Sequence, residues 1–320
     1  MAPRKAKSVT LRLGYFPNVT HATALVGVQG GVFAEKLGKH VKLETKTFNA
    51  GPEAVTALLA GAIDATYIGP NPSVNAFQQS HGAVRVVAGA ASGGAYLVVK
   101  PNIDSAADLK GKKVASPQLG NTQDIALRSW LKQHGLKTDA NGGGDVSVIP
   151  QDNATTLDTF RQGAIAGAWV PEPWATRLVD EGGGKILVDE RSLWPHGQYV
   201  TTDLLVSTSF LKPHPDVVKR LLEGQVAANQ LIHDDRARCE KLVGEGIEKV
   251  TGKPLAPNLI SASFDNIEFT NDPIVSSLKK SAKQAHSLGL LDSVKLEKLF
   301  DLELLNEVLK ANNLPTVSST

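Results

Sequence analysis

Apolar positions along the chain fall into short runs of β-branched and aromatic residues, separated by longer stretches with a helical period. Runs 9–16 (VTLRLGYF), 41–48 (VKLETKTF) and 65–69 (ATYIG) read as strands, with helices over 21–37 and 52–61 between them. The alternation returns with strands at 112–116 (KKVAS), 146–150 (VSVIP) and 167–170 (GAWV), and helices over 121–135 and 154–163. Strands alternating with helices predict parallel βαβ units whose sheets are covered on both faces.

The two series echo one another. GAIDATYIGP at 61–70 matches GAIAGAWVP at 163–171 at an offset of 102. In the same register Phe48-Asn49-Ala50-Gly51 falls on Pro150-Gln151-Asp152-Asn153, and Thr20 falls on Thr122. A repeat of this length predicts two similar doubly wound α/β lobes. Open sheets of this kind bind ligands at the carboxyl ends of their strands, where helix N-termini point. Two such lobes facing each other enclose a cleft, which the loops 15–21, 69–73, 92–94, 118–122 and 169–174 are expected to line.

The chain must pass between the lobes twice. Residues 84–101 supply one extended passage, and 198–213 (QYVTTDLLVSTSFLKP) supply the return, which makes a two-crossing hinge. The expected division is 9–96 with 203–312 for the first lobe and 97–202 for the second. Beyond 213 the pattern is helical, and these helices are expected to cover the first lobe.

Composition removes several function classes. At 320 residues the chain is long enough for two domains, and it has no run of 18 apolar residues to span a bilayer. Its 34 basic and 32 acidic residues are spread along the chain, so no field exists to hold a nucleic acid. A single cysteine, Cys239, permits neither an internal disulfide nor a thiolate metal cage. The eight histidines show no paired metal-ligand spacing, and no GxSxG turn occurs, so no catalytic residue, metal or cofactor is expected. The start MAPRKAKSVT is basic but has no apolar segment of a secretion signal, and is expected to replace one.

The cleft loops contain neither Lys nor Arg. They offer instead Ser73, Ser92, Asn121 and Thr122, together with the backbone N–H groups of Gly69, Gly93, Gly94 and Gly120. Helix starts near 21, 71 and 121 add partial positive charge, which suits a small anion. Tyr15, Phe16, Tyr67, Trp169 and Trp174 are expected to supply an apolar wall.

GYFPNVTHATALVG, LLAGAIDATYIGPNPSVNAF, VVAGAASGGAYLVVK, DLKGKKVASPQLGNTQDIALRSWL, GAIAGAWVPEPWATRL and FTNDPIVSSLKKSAKQAHSLGLL occur in this order. Together they resemble the ABC-transporter solute-binding proteins for aliphatic sulfonates, taurine and nitrate, a group related to thiamine-precursor synthase-like proteins. The resemblance runs over roughly 9–310. It implies a type II periplasmic binding protein fold, a monomer acting in the periplasm or as a cell-surface lipoprotein, permease subunits as membrane partners, and a small organic anion as ligand. Carried over to this sequence, it implies contacts from Tyr15, Asn18 and His21, from Gly69, Pro70 and Asn71, and from Ser92 and Gly93. In the second lobe it implies Gln118, Gly120, Asn121, Thr122, Trp169 and Glu172. Glu172 would repel a bare anion, and a zwitterion such as taurine would resolve that conflict. The same fold also carries thiamine-pyrimidine synthases and binders of other heterocycles; the enzyme would need a Cys-rich iron site that one cysteine does not provide.

Overall fold

A computed structural model describes residues 8–319. The basic leader at 1–7 lies outside the described residues. Among the described residues eleven strands form two sheets: β1 (Val9–Tyr15), β2 (Val41–Thr47), β3 (Ala65–Ile68), β4 (Val84–Gly93), β5 (Ala95–Val99), β6 (Lys113–Ser116), β7 (Ser147–Pro150), β8 (Gly167–Pro171), β9 (Lys185–Asp189), β10 (Val200–Ser207) and β11 (Ile267–Phe269). The first sheet has the order β11-β4-β10-β3-β1-β2 and the second β7-β6-β8-β5-β9. Helices α1 (Ala22–Gln29), α2 (Val32–Leu37), α3 (Gly51–Leu59) and α4 (Pro70–Gln79) belong to the first lobe, α5 (Thr122–Gln133), α6 (Asn153–Arg161) and α7 (Trp174–Asp180) to the second. The remainder are α8 (Thr208–Leu211), α9 (Pro215–Asp234), α10 (Arg236–Thr251), α11 (Pro257–Asp265), α12 (Val275–Ser287) and α13 (Glu303–Ala311).

The repeat is visible in the sheets. β1 pairs in parallel with β2 and β3, and β6 pairs in parallel with β7 and β8. Each sheet is then extended by an antiparallel strand that sits at a lobe crossing: β10 lies against β3, and β5 lies against β8. Parallel sheets covered on both faces bury both sides of each strand. Leu204 and Val206 of β10 enter one core with Leu11, Leu13 and the buried faces of α9 and α10, while Leu205 enters another with Ile68, Val86 and Leu278. In the second lobe Leu97 and Val99 face one core, Tyr96 and Val98 the other. α9 shows why such helices form: Pro215 opens it, and Val218, Leu221, Leu222 and Val226 recur at helical spacing on its buried side.

Several expectations are corrected. The single helix over 21–37 is broken by Gly31, whose φ of 73° ends one helix and starts the next. β9 and β11 were not foreseen; one follows a glycine-rich turn and the other is three residues long, so neither carries a long alternating pattern. Between the two sheets, β5 begins the second at Ala95 and β10 joins the first at Val200. The chain changes sheet at Gly93 and Gly94, with φ of 82° and 74°, a conformation that side chains with a Cβ rarely adopt. The C-terminal helices also reach across, with α12 against α5 and α11 against α7.

Candidate ligand-binding cavity

Where the strand ends of the two sheets meet, the lobes enclose a cavity of about 30 Å³. Around it stand Phe16, Asn18, Thr20 and His21 after β1, Asn49, Ala50 and Gly51 after β2, Gly69 and Pro72 after β3, and Thr201 of β10. From the second lobe come Pro117, Asn121, Thr122 and Gln123, with Asn153 after β7 and Pro171 of β8. The repeat register pairs these walls: Thr20 with Thr122, His21 with Gln123, Gly51 with Asn153, and Gly69 with Pro171.

The helix starts give the cavity its chemistry. The first N–H groups of an α-helix have no partner within it. In α5 the Asn121 side chain accepts from the Asp124 N–H at 2.9 Å, and in α6 the Asp152 side chain accepts from the Thr155 N–H at 2.8 Å. Both caps thus satisfy the third amide and leave the first two, at Thr122 and Gln123 and at Asn153 and Ala154, pointing out of the helix start. α3 and α4 have no side-chain cap at all. Pro70 and Pro72 remove two donors from α4, so Asn71 alone presents an amide there. Thr122 Oγ1 and Asn153 Oδ1 are buried with no hydrogen-bond partner among the described residues. An amide turned by 180° offers its NH2 in place of its oxygen.

Among the described residues, no Asp, Glu, Lys or Arg lines the cavity. His21 is 3% exposed, and burial holds its ring pKa down to about 3, so it is neutral. Its Nδ1 accepts the Phe16 N–H at 3.3 Å, which leaves the proton on Nε2, and the ring stacks on Phe16 with centroids 4.3 Å apart. Two residues along β10 from Thr201, Asp203 is fully buried; that burial, with Asp272 nearby, pushes its carboxyl well above the usual range. Burial therefore favours the uncharged form of Asp203 beside the site.

The fit across the cavity is close. A Cβ added to Gly69 would lie 2.2 Å from Thr122 Oγ1 on the other lobe. The Val19 N–H donates to the Glu172 carbonyl at 3.1 Å, and Trp174 Nε1 donates to Asn18 Oδ1 at 3.0 Å. The lobes are closed on one another.

Of the residues implied by resemblance, Asn18, His21, Gly69, Asn121 and Thr122 come together at the cavity. The others stand elsewhere. Tyr15 is buried and bonds Thr45, while Asn71 is held by Ser281, whose hydroxyl donates to it at 2.6 Å. Pro70 opens α4, with Pro72 on the wall in its place. Ser92 Oγ accepts from the Tyr199 N–H, and Gly93 belongs to the crossing, so both are hinge residues. Gln118 and Gly120 precede the α5 cap, and the Gly120 N–H donates to Asp124. Trp169 lies in the second-lobe core with Trp130, its Nε1 donating to Glu190 at 2.8 Å. Glu172 turns away: its carboxylate accepts from Thr176, from Ser263 and from Asn266 Nδ2 at 2.7 Å. Its charge faces donors of α7 and of the α11 region, so the conflict with a bare anion does not arise. Of the expected aromatic wall, Phe16 is the member that reaches the cavity. Asn49, Ala50, Gly51 and Asn153 were not singled out, although the repeat register had already placed 48–51 opposite 150–153.

The two lobes and the cavity between them have the architecture of the periplasmic binding protein fold. Over residues 4–243 the chain matches the NMT1-like family, and it belongs to that family. The taurine-binding periplasmic protein of Escherichia coli (strain K12) is 28% identical over 71% of this chain and 67% of its own length. Two solved structures share the fold. The alkanesulfonate-binding protein SsuA from Xanthomonas axonopodis pv. citri, bound to MOPS, superposes with a TM-score of 0.77 at 20% identity, over 93% of this chain and 99% of that one. The nitrate-binding protein NrtA from Synechocystis PCC 6803 gives 0.78 at 17% identity, over 97% and 90%.

Glu190, which anchors Trp169, yields a pH test. Burial raises its carboxyl to about 7, partly offset by hydrogen bonds from Trp169 and Trp194. A raised folded-state pKa means that the associated stability is complete below the unfolded value and is lost as pH climbs through 7. Glu190→Gln keeps an acceptor for the closer indole, that of Trp169, and does not titrate. Denaturant unfolding at pH 5 and pH 8 is expected to show the wild type losing about 3 kcal/mol more than the variant. Equal losses in both proteins would place Glu190 outside this account.

Proposed function

We propose that the chain is the solute-binding component of an ABC importer, acts outside the cytoplasmic membrane, captures the oxyanion head of an alkanesulfonate in the interlobe cavity, and catalyses no reaction. The observation that carries this reading is the convergence of uncapped or partly capped helix starts on a cavity lined by uncharged residues. Oriented amides hold an anion without the desolvation cost of burying a cation beside it. Phe16 and His21 are the rings on the cavity wall and its other polar groups are small hydroxyls, amides and helix-start N–H groups, which suit a compact oxyanion better than a pyrimidine. Within the anions, the similarity to sulfonate- and taurine-binding relatives favours a sulfonate head. Taurine adds an ammonium group that finds no carboxylate on the cavity wall, so an uncharged alkyl substituent is the better match.

Capture then proceeds by closure. Gly93, Gly94 and the stretch before Val200 absorb the rotation, and the anion supplies acceptors that both walls lack when they face each other alone. The closed form, once formed, is the state a permease would recognise.

A thermal-shift panel of methanesulfonate, taurine, nitrate, bicarbonate and a pyrimidine tests the reading. A sulfonate at 100 times its dissociation constant is expected to add about 2.7 kcal/mol of stability. No shift with any of the anions, or a shift with the pyrimidine alone, would refute it. Gly69→Ala tests closure separately. Gly69 has φ of −75° and ψ of 162°, which alanine adopts freely, so the variant folds while its methyl group obstructs Thr122. Isothermal titration is expected to show methanesulfonate binding weakened at least about tenfold, near 1.4 kcal/mol, while the unliganded variant still unfolds cooperatively. Wild-type affinity in this variant would mean that the lobes need not meet at Gly69.

A further inference from the structure

Three side chains on the cavity wall carry both a donor and an acceptor, and in each the protein itself occupies the acceptor. In His21 it is Nδ1, which takes the Phe16 N–H at 3.3 Å and leaves the proton on Nε2. In Asn18 it is Oδ1, 3.0 Å from Trp174 Nε1. An indole N–H only donates, so the oxygen of this amide, and not its NH2, faces the tryptophan. Gln123 is fixed through a relay: the Asp124 N–H donates to Asn121 Oδ1 at 2.9 Å, which turns Asn121 Nδ2 toward Gln123 Oε1 at 3.1 Å. What remains on each is a donor. His21 Nε2, Asn18 Nδ2 and Gln123 Nε2 have no hydrogen-bond partner among the described residues.

Acceptors that border the cavity are engaged elsewhere. The Gly69 carbonyl accepts from the Ser73 N–H and hydroxyl, the Thr20 carbonyl from Thr202 Oγ1 at 2.9 Å, and the Asn18 carbonyl from the His21 N–H at 3.0 Å. Thr201 turns its hydroxyl to the Gly93 carbonyl at the crossing. The helix starts add N–H groups, which cannot accept. Thr122 Oγ1 and Asn153 Oδ1 are the buried wall oxygens without a partner, and each side chain can turn to present a donor instead. Either of them, if it accepted a proton from the ligand, would withdraw one donor from the anion's charge.

We infer that this polarised wall reads protonation: the cavity takes an oxyanion that has lost every acidic proton and rejects one of equal charge that keeps a hydroxyl, with Trp174 as the positioning residue that holds Asn18 as a donor. The inference rests on the proposal that the cavity holds an oxyanion head. A sulfonate meets the wall with acceptors alone. A hydroxyl among the oxygens sets a donor against donors, and a buried polar group without a partner is costly. Because Trp174 opens α7 of the second lobe and Asn18 follows β1 of the first, closure itself completes the orientation.

Methanesulfonate and methylphosphonate separate the proton from the charge. At pH 5 both are monoanions of similar shape, and the phosphonate keeps one P–OH. His21 is neutral there, since burial holds its ring at about 3. Isothermal titration of the full chain at pH 5 is expected to show methanesulfonate bound at least about tenfold more tightly. Trp174→Phe keeps a ring beside Arg177 and removes the N–H that fixes Asn18. The variant is expected to bind methanesulfonate more weakly and to narrow the ratio between the two ligands at least about threefold, because the freed amide can offer its oxygen to the hydroxyl. Equal wild-type affinity for both ligands, a measurement that needs no variant, would overturn the inference and leave the head assignment standing. Losses of the same factor for both ligands in Trp174→Phe would overturn Trp174 as the positioning residue. Failure of methanesulfonate to bind wild-type protein would overturn the head assignment, and this inference with it.

Discussion

Helix N-termini carry amides that the helix itself cannot satisfy, and in this protein both lobes aim such termini at one enclosed point. α3 and α4 do so from one side, α5 and α6 from the other. The arrangement constrains everything around it. Side chains that would fill the space are excluded, which is why glycine occupies Gly51 and Gly69. A Cβ at Gly51 would stand 2.1 Å from Pro72, as one at Gly69 would crowd Thr122. Cations are unnecessary because the dipoles supply the positive potential, and the acids nearest the cavity are engaged elsewhere, with Asp152 capping α6 and Glu172 turned toward its own donors.

Duplication explains how such a site arises from an ordinary fold. Each half brings three parallel strands whose ends present the same loops, and the antiparallel crossing strands lock each half to the other. The four register pairs on the cavity wall follow from this. They are not chemically identical: His21 faces where Gln123 stands in the second copy, and Gly51 where Asn153 stands. Those differences allow one wall to offer a neutral imidazole and the other an amide, so that a single asymmetric ligand can be gripped from both sides.

The lobes, the repeat and the cationless cleft were legible from the sequence because strand–helix alternation and loop composition are local properties. Asn18, His21, Gly69, Asn121 and Thr122 could be placed at the cavity since each lies directly beyond a strand or at a helix start. Trp169 and Glu172 could not. Whether an aromatic residue at a strand end faces the cleft or the core depends on strand parity and on Glu190, twenty-one positions away. The orientation of Glu172 depends on Ser263 and Asn266, which no local pattern connects to it. β11 escaped for the same reason: its three residues form a strand because β4 is beside them. The helix over 21–37 was overextended because Gly31 sits between two genuinely helical stretches.

The central claim is that uncharged donors at facing helix starts hold the ligand. A crystal structure of the full chain with methanesulfonate addresses it directly. The account predicts density between the lobes with sulfonate oxygens within about 3.2 Å of the Thr122 hydroxyl and of backbone N–H groups at the starts of α5 and α6. A sulfonate bound instead through Lys or Arg, or outside the space between Gly69 and Thr122, would contradict it.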